Sequence, residues 1–227
     1  MREDLVKRLS SIGALAEPAR RDLYLYVAAQ AEPVGRDQAA TALHLPRHVV
    51  KFHLDRLVDE GLLEVEFRRL SGRQGPGAGR PAKLYRRAAR EVTVSLPERR
   101  FDLAGQILAD AVRAASTGAP ILAAVAEAAA SAGRRVGAQA RTASGSSVAD
   151  ALASCGYEPR LVDRTMVLAN CPFHPLAVEH TELVCGLNLE FIQAMTRELG
   201  REEVDVRLDP GTGRCCVTLQ LPAPSSA

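Results

Sequence analysis

Five cysteines stand in 227 residues: Cys155, Cys171, Cys185, Cys215 and Cys216. Thiolates are nucleophiles and soft metal ligands, and five in a chain of this size suit thiol, metal or redox chemistry better than a disulfide framework. Four of them fall in separated segments expected to be a strand end, a helix and a final strand. Pro172 and His174 follow Cys171, and His180 precedes Cys185 by about a turn and a half of helix. Soft ligands gathered from different elements suit an iron–sulfur cluster or zinc. The chain has no C-x-x-C pair, so a zinc ribbon is not expected. Spacing alone leaves buried, inert thiols as the competing reading.

A second chemistry is written in charge. Residues 67–90 contain Arg68, Arg69, Arg73, Arg80, Lys83, Arg86, Arg87 and Arg90 and no acid, a run of +8. Arginines on a Gly- and Pro-rich hairpin suit phosphates and a narrow minor groove. Just upstream, a helix expected from Pro46 to about Glu60 buries Val50, Leu54, Leu57 and Val58. That turns Arg47, His48, Lys51 and Asp55 outward. Arg47 can reach guanine or phosphate and Lys51 a phosphate, against the plainer reading of a solvated face. Gly75, Gly77 and Gly79 lie between strands rather than between strand and helix, which excludes a phosphate-cradling loop. Paired carboxylates and a Ser/His/Asp arrangement are also missing, so the chain is not expected to be an enzyme.

The elements that must position these groups follow from periodicity. Helices are expected at 18–30 and 37–43, the latter joined through His44 and Leu45 to the helix from Pro46, which Gly61 caps. Strands at 62–67 and 82–85 follow. The short helix, turn and longer helix resemble the helix-turn-helix of bacterial repressors, with the hairpin as its wing. Beyond an extended link at 92–100, amphipathic helices are expected at 101–116 and 119–141. Then come a short helix to Cys155, two strands turning near Asp163–Arg164, a long broken helical stretch and a final hairpin. The fold class is therefore α+β. A winged helix-turn-helix domain spans 1–91, a linker with dimerisation helices 92–142, and a sensor domain with a long helix and strand hairpins 143–227.

Charge follows the same division: residues 1–100 carry +6 and residues 101–227 carry −4. A basic front module points to a polyanionic partner. No apolar run follows MREDLVKRLS, and the alanine-rich run near 119–130 is too short to span a bilayer. A cytoplasmic, membrane-free protein is expected, acting as a homodimer because two half-sites multiply modest affinities.

The order of motifs carries a resemblance. GRPAKLY after the expected recognition helix, then GYEP, NCPFHPLAVEHTELVCGLNLEF and closing GRCCV resemble the SufR-type iron–sulfur repressors and their actinobacterial relatives, over nearly the whole chain. Cys185 lies fourteen residues after Cys171, and Cys215–Cys216 begin thirty beyond that. The resemblance implies a transcriptional regulator, a repressor, that binds a double-stranded DNA operator under the control of an oxygen- or redox-sensitive cluster such as 4Fe–4S. By position it makes Cys171, Cys185 and Cys215 ligands. Cys216 stays open beside Cys215, because adjacent strand residues face opposite ways. A fourth thiolate is not evident, which leaves His174, His180, Glu182 or an exogenous group to complete the set. Cys155, in SCGY, lies outside the pattern and reads as structural. The alternatives are a winged-helix regulator with structural zinc that senses a small ligand, and a cluster-dependent redox enzyme.

Overall fold

The computed structural model describes residues 2–69, 81–142 and 147–222. Helices and antiparallel strands are both present, in line with the α+β class. The chain divides into two compact units, Met1–Val94 and Ser95–Ala227.

The first unit runs α1 (Arg2–Ala14), α2 (Pro18–Ala28), β1 (Val34–Gly35), α3 (Arg36–Ala42), α4 (Arg47–Asp59), β2 (Leu63–Arg68) and β3 (Ala82–Arg87). Helix α2 starts where the Glu17 carboxylate accepts the Arg20 amide at 2.7 Å, with Pro18 in the first turn, where it sacrifices no hydrogen bond. The chain turns from α3 into α4 at His44, whose φ of +53° is rare for a residue with a Cβ. Helix α4 buries Val50, Leu54 and Leu57 completely, and they pack with Leu23 and Val27 of α2, Val34 of β1 and Tyr85 of β3. Gly61, at φ +70°, ends the helix as its spacing predicts, its amide bonding the Val58 carbonyl at 2.9 Å. Strands β2 and β3 pair from Leu63↔Arg87 to Arg68↔Ala82, and β1 adds to the other edge of β3.

The second unit runs α5 (Phe101–Ser116), α6 (Ile121–Thr142), α7 (Val148–Ser154), β4 (Pro159–Val162), β5 (Thr165–Leu168), α8 (His174–Glu179), α9 (Thr181–Glu198), β6 (Asp205–Leu208) and β7 (Val217–Gln220). Both helices that the sequence places in a middle segment, α5 and α6, contribute to this unit's core through Ile107, Ala111, Val125 and Ala129. The alanines and glycines of α6 let α9 come close. A Cβ on Gly133 would overlap the Phe191 carbonyl oxygen, and one on Gly137 would lie 2.7 Å from the Met195 carbonyl oxygen. The four strands form an antiparallel sheet in the order β4-β5-β7-β6. Met166, Leu168, Val206, Val217 and Leu219 of that sheet share one core with Phe191, Ile192 and Met195 of α9. The expected broken helical stretch is α8 and α9, interrupted at His180.

Candidate cysteine centre and basic surface

The sheet and α9 bring four cysteines of the second unit into two pairs. Cys171 lies in the loop after β5, and its carbonyl accepts the His174 amide at the start of α8. Cys215 immediately precedes Cys216 and β7. Its amide bonds the Leu168 carbonyl at 2.8 Å, and it is 1% exposed. The Cys171 and Cys215 thiols lie close enough for each to shift the acidity of the other. Cys185, in the second turn of α9, pairs as a disulfide with Cys216, their Cα atoms 6.4 Å apart. Cys215 and Cys216 stand between a turn and the start of β7, with Cys216 at a bend, and they face different partners.

Polar groups converge on Cys215. The Asn188 amide donates to its sulfur at 3.1 Å, and the Asn188 carbonyl oxygen accepts a short hydrogen bond from the Tyr157 hydroxyl. The Cys171 thiol, with help from the Val217 amide and Asn188, lowers the Cys215 pKa to about 7 against the effect of burial. The same interaction and burial push the Cys171 thiol up, so the two thiols titrate as a pair. Burial also raises the Cys155 thiol, which packs in the core at the end of α7.

The Cys171 loop is clamped to the segment by which the chain enters this unit. The Asn170 amide donates to the carbonyls of Glu98, at 2.9 Å, and Gly156, at 2.6 Å. Its side-chain oxygen accepts from Arg99 at 2.5 Å. Arg99 also reaches the Cys171 carbonyl at 3.2 Å, and the Arg100 amide bonds the Pro172 carbonyl. Residues 98–100 therefore register the position of the cysteine loop directly.

The donor set has the chemistry of a soft-metal site, four thiols from a loop, a helix and a strand end. Its arrangement is pairwise: among the described residues, no group of three or more His, Cys, Asp or Glu side chains is gathered as a ligand set. Cys171, Cys185 and Cys215 are thus each in the centre but do not converge as a trio, because Cys185 bonds Cys216. His174, His180 and Glu182 are all exposed.

In the first unit, α4 exposes Arg47, His48 and Lys51 as its spacing predicts. Arg47 also forms a 2.5 Å ion pair with Asp37 of α3, tying the two helices together. Asp55 is not a free outward group. It accepts from Lys83 at 2.5 Å and from the Tyr85 hydroxyl at 3.0 Å, which bridges α4 to β3. Burial opposes ionisation of Asp55, but these two donors hold its carboxyl below the ordinary aspartate value. Acids outside the basic run also reach it: Arg68 pairs with Glu66 and Glu32, and Arg86 with Glu64. Arg73 and Arg80 lie outside the described residues. Sequence reasoning missed Asn188, Tyr157 and Arg99 around the cysteines and Phe52 on α4. Asn188, a polar residue three positions after Cys185 on a buried face, was the readable signal for the first of these.

No family model matches the chain, and no curated protein or solved structure shows significant similarity to it.

Proposed function

We propose that the protein is a DNA-binding transcriptional regulator, a repressor rather than an enzyme, whose DNA affinity is set by the state of the cysteine centre. The observation that carries the reading is α4. Its Val50–Leu54–Leu57 stripe is locked in the core, Arg47, His48 and Lys51 are exposed, and the basic β2–β3 hairpin follows directly. These features support a winged helix-turn-helix reading, in which α4 would enter the major groove and the hairpin would lie on the backbone. Exposed Phe101 and Val112 on α5 suit a contact with a second copy, as two half-sites require. Among the described residues no helix is long and apolar enough to cross a membrane.

An iron–sulfur cluster, or zinc in the alternative, would be held by Cys171, Cys185 and Cys215, with Cys216, only after the Cys185–Cys216 bond is reduced and the two pairs are drawn together. When bound, a cluster supplies one-electron redox chemistry and sensitivity to oxygen. The chain's own part is positional. Asn188 orients the Cys215 sulfur, and Asn170 and Arg99 hand any movement of the Cys171 loop to residues 98–100. From there the chain continues into the first unit. The Cys185–Cys216 pairing favours a second reading, in which the dithiol is itself the switch. The two thiols give two electrons and two protons to an organic hydroperoxide, forming the S–S bond, and the peroxide leaves as an alcohol and water.

Metal and sulfide analysis of anaerobically purified protein separates these occupants. Stoichiometric iron with sulfide supports the cluster, zinc alone the structural alternative, and neither metal with a reversible Cys185–Cys216 bond the dithiol. For the DNA interface, Arg73→Ala with Arg80→Ala should weaken all duplexes and flatten the salt dependence by about one unit of slope for each phosphate no longer neutralised. Arg47→Ala should instead reduce discrimination between selected and random sequence. Parental binding by both variants would refute this reading surface.

A further inference from the structure

The exposed face of α4 has an aromatic residue at its centre. Phe52 is 64% exposed, a large apolar side chain left in water on a helix whose own apolar stripe is buried. At about 100° per residue, Phe52 lies about 165° round the helix from the centre of the Val50–Leu54–Leu57 stripe, between His48 one turn before and Asp55 one turn after. It is therefore not a straggler from the core. Its ring meets the His53 ring edge-on, with centroids 5.3 Å apart, and His53 is in turn held by a 3.4 Å hydrogen bond from Arg20. Phe52 lines a shallow groove of about 680 Å³ with Arg20, His48, Lys51 and Arg56.

The occupant of this face is argued from its charge. Arg20, Lys51 and Arg56 line the groove with the ring. Arg56 pairs with Glu60 at 2.6 Å and Arg20 donates to His53 and the Ala14 carbonyl, which leaves Lys51 as the cation beside Phe52, while Asp55 is committed to Lys83 and Tyr85. Asp59, the other acid of the groove, is two turns further along, about 10 Å by helical rise. An apolar centre beside a cation fits an anionic surface that carries isolated apolar groups. In the major groove the base edges offer one such group, the C5-methyl of thymine.

We propose that Phe52 is a specificity-determining residue that reads a thymine C5-methyl group, beside a phosphate contact made by Lys51. The inference rests on the DNA-binding reading above. Burying a methyl against an aromatic ring is worth about a four-fold change in affinity, so the preference is modest per site and about sixteen-fold when both half-sites of a two-fold complex carry it.

The test uses the full-length protein and a randomised duplex pool, from which the preferred sequence is selected. Affinities are then measured for that duplex and for versions in which single thymines are replaced by uracil, which removes only the methyl. Wild type should lose about four-fold at one thymine of each half-site. Phe52→Ala should bind the parent duplex more weakly and be indifferent to that same replacement. Phe52→Leu, which keeps an apolar side chain, should retain part of the preference. Equal losses in wild type and Phe52→Ala, or no uracil effect at any position, would overturn the assignment while leaving DNA binding intact. A Phe52→Ala variant that changes oligomeric mass but keeps its thymine preference would place the residue in a protein contact and likewise overturn it. Failure of wild type to select any duplex would overturn the DNA-binding reading, and this inference with it.

Discussion

Asn188 is the residue on which the cysteine centre depends most. It is 1% exposed, donates to the Cys215 sulfur and accepts from Tyr157, so each of its partners is a buried polar group with few substitutes. Leaving such groups unpaired costs about 1–3 kcal/mol, and the missing volume adds to it. Asn188→Ala should therefore lower unfolding free energy by about 2–3 kcal/mol in denaturant titrations. Tyr157→Phe, which removes only the hydroxyl, should cost about 1 kcal/mol. In the first unit, the analogous residue is Asp55. Its side chain is about a third exposed, so Asp55→Asn should cost about 1 kcal/mol or less at neutral pH. Its folded pKa is depressed, so the stability it contributes is complete above the ordinary aspartate value near pH 4 and is lost as pH falls through the folded value. The difference between wild type and Asp55→Asn should thus narrow in acid. A gap that widens below pH 4 would contradict the bridge to Lys83 and Tyr85.

At the scale of elements, the approach of α6 to α9 is the most exacting contact. A methyl on Gly133 meets backbone of α9 rather than a flexible side chain, so the helices must move apart. Overpacking of this kind costs about 1–3 kcal/mol and exceeds the helix-propensity gain of at most about 1 kcal/mol. Gly133→Ala should lower the melting temperature of the second unit by several degrees, whereas Gly105→Ala on α5, which meets open space, should not. The same helix pair marks where sequence reading stops. Helix and strand positions were legible because apolar period, Gly61, Pro18 and the Asp163–Arg164 turn are local signals. The alanine-rich composition of α6 said that the helix was small-faced, not which helix it would admit. The centre behaved the same way. The four cysteines could be chosen from local motifs, but their division into pairs depends on the register of β5, β7 and α9, which no local motif encodes. The basic run was legible as charge, while its pairing with Glu32, Glu64 and Glu66 is tertiary and was not.

At the scale of the whole molecule, a basic unit is joined to a cysteine-bearing one through a single chain crossing, clamped at its second-unit end by Asn170 and Arg99. In the proposed homodimer, the contact between copies would run through the exposed side of α5. Val112 is 62% exposed and suits the test, since Leu108 packs partly against the unit's own core. Val112→Glu should give a folded monomer by light scattering, with a large loss of duplex affinity. An unchanged dimer mass would move the contact off this helix. The proposed control of DNA affinity by the cysteines is decided by the affinity of one anaerobic preparation for its selected duplex, measured before and after exposure to air. A coupling of about 1–3 kcal/mol, typical between linked sites, predicts a change of about five- to 150-fold that Cys171→Ser and Cys185→Ser abolish and Cys155→Ser retains. Equal affinity before and after air, with the cysteines shown to have changed state, would contradict it.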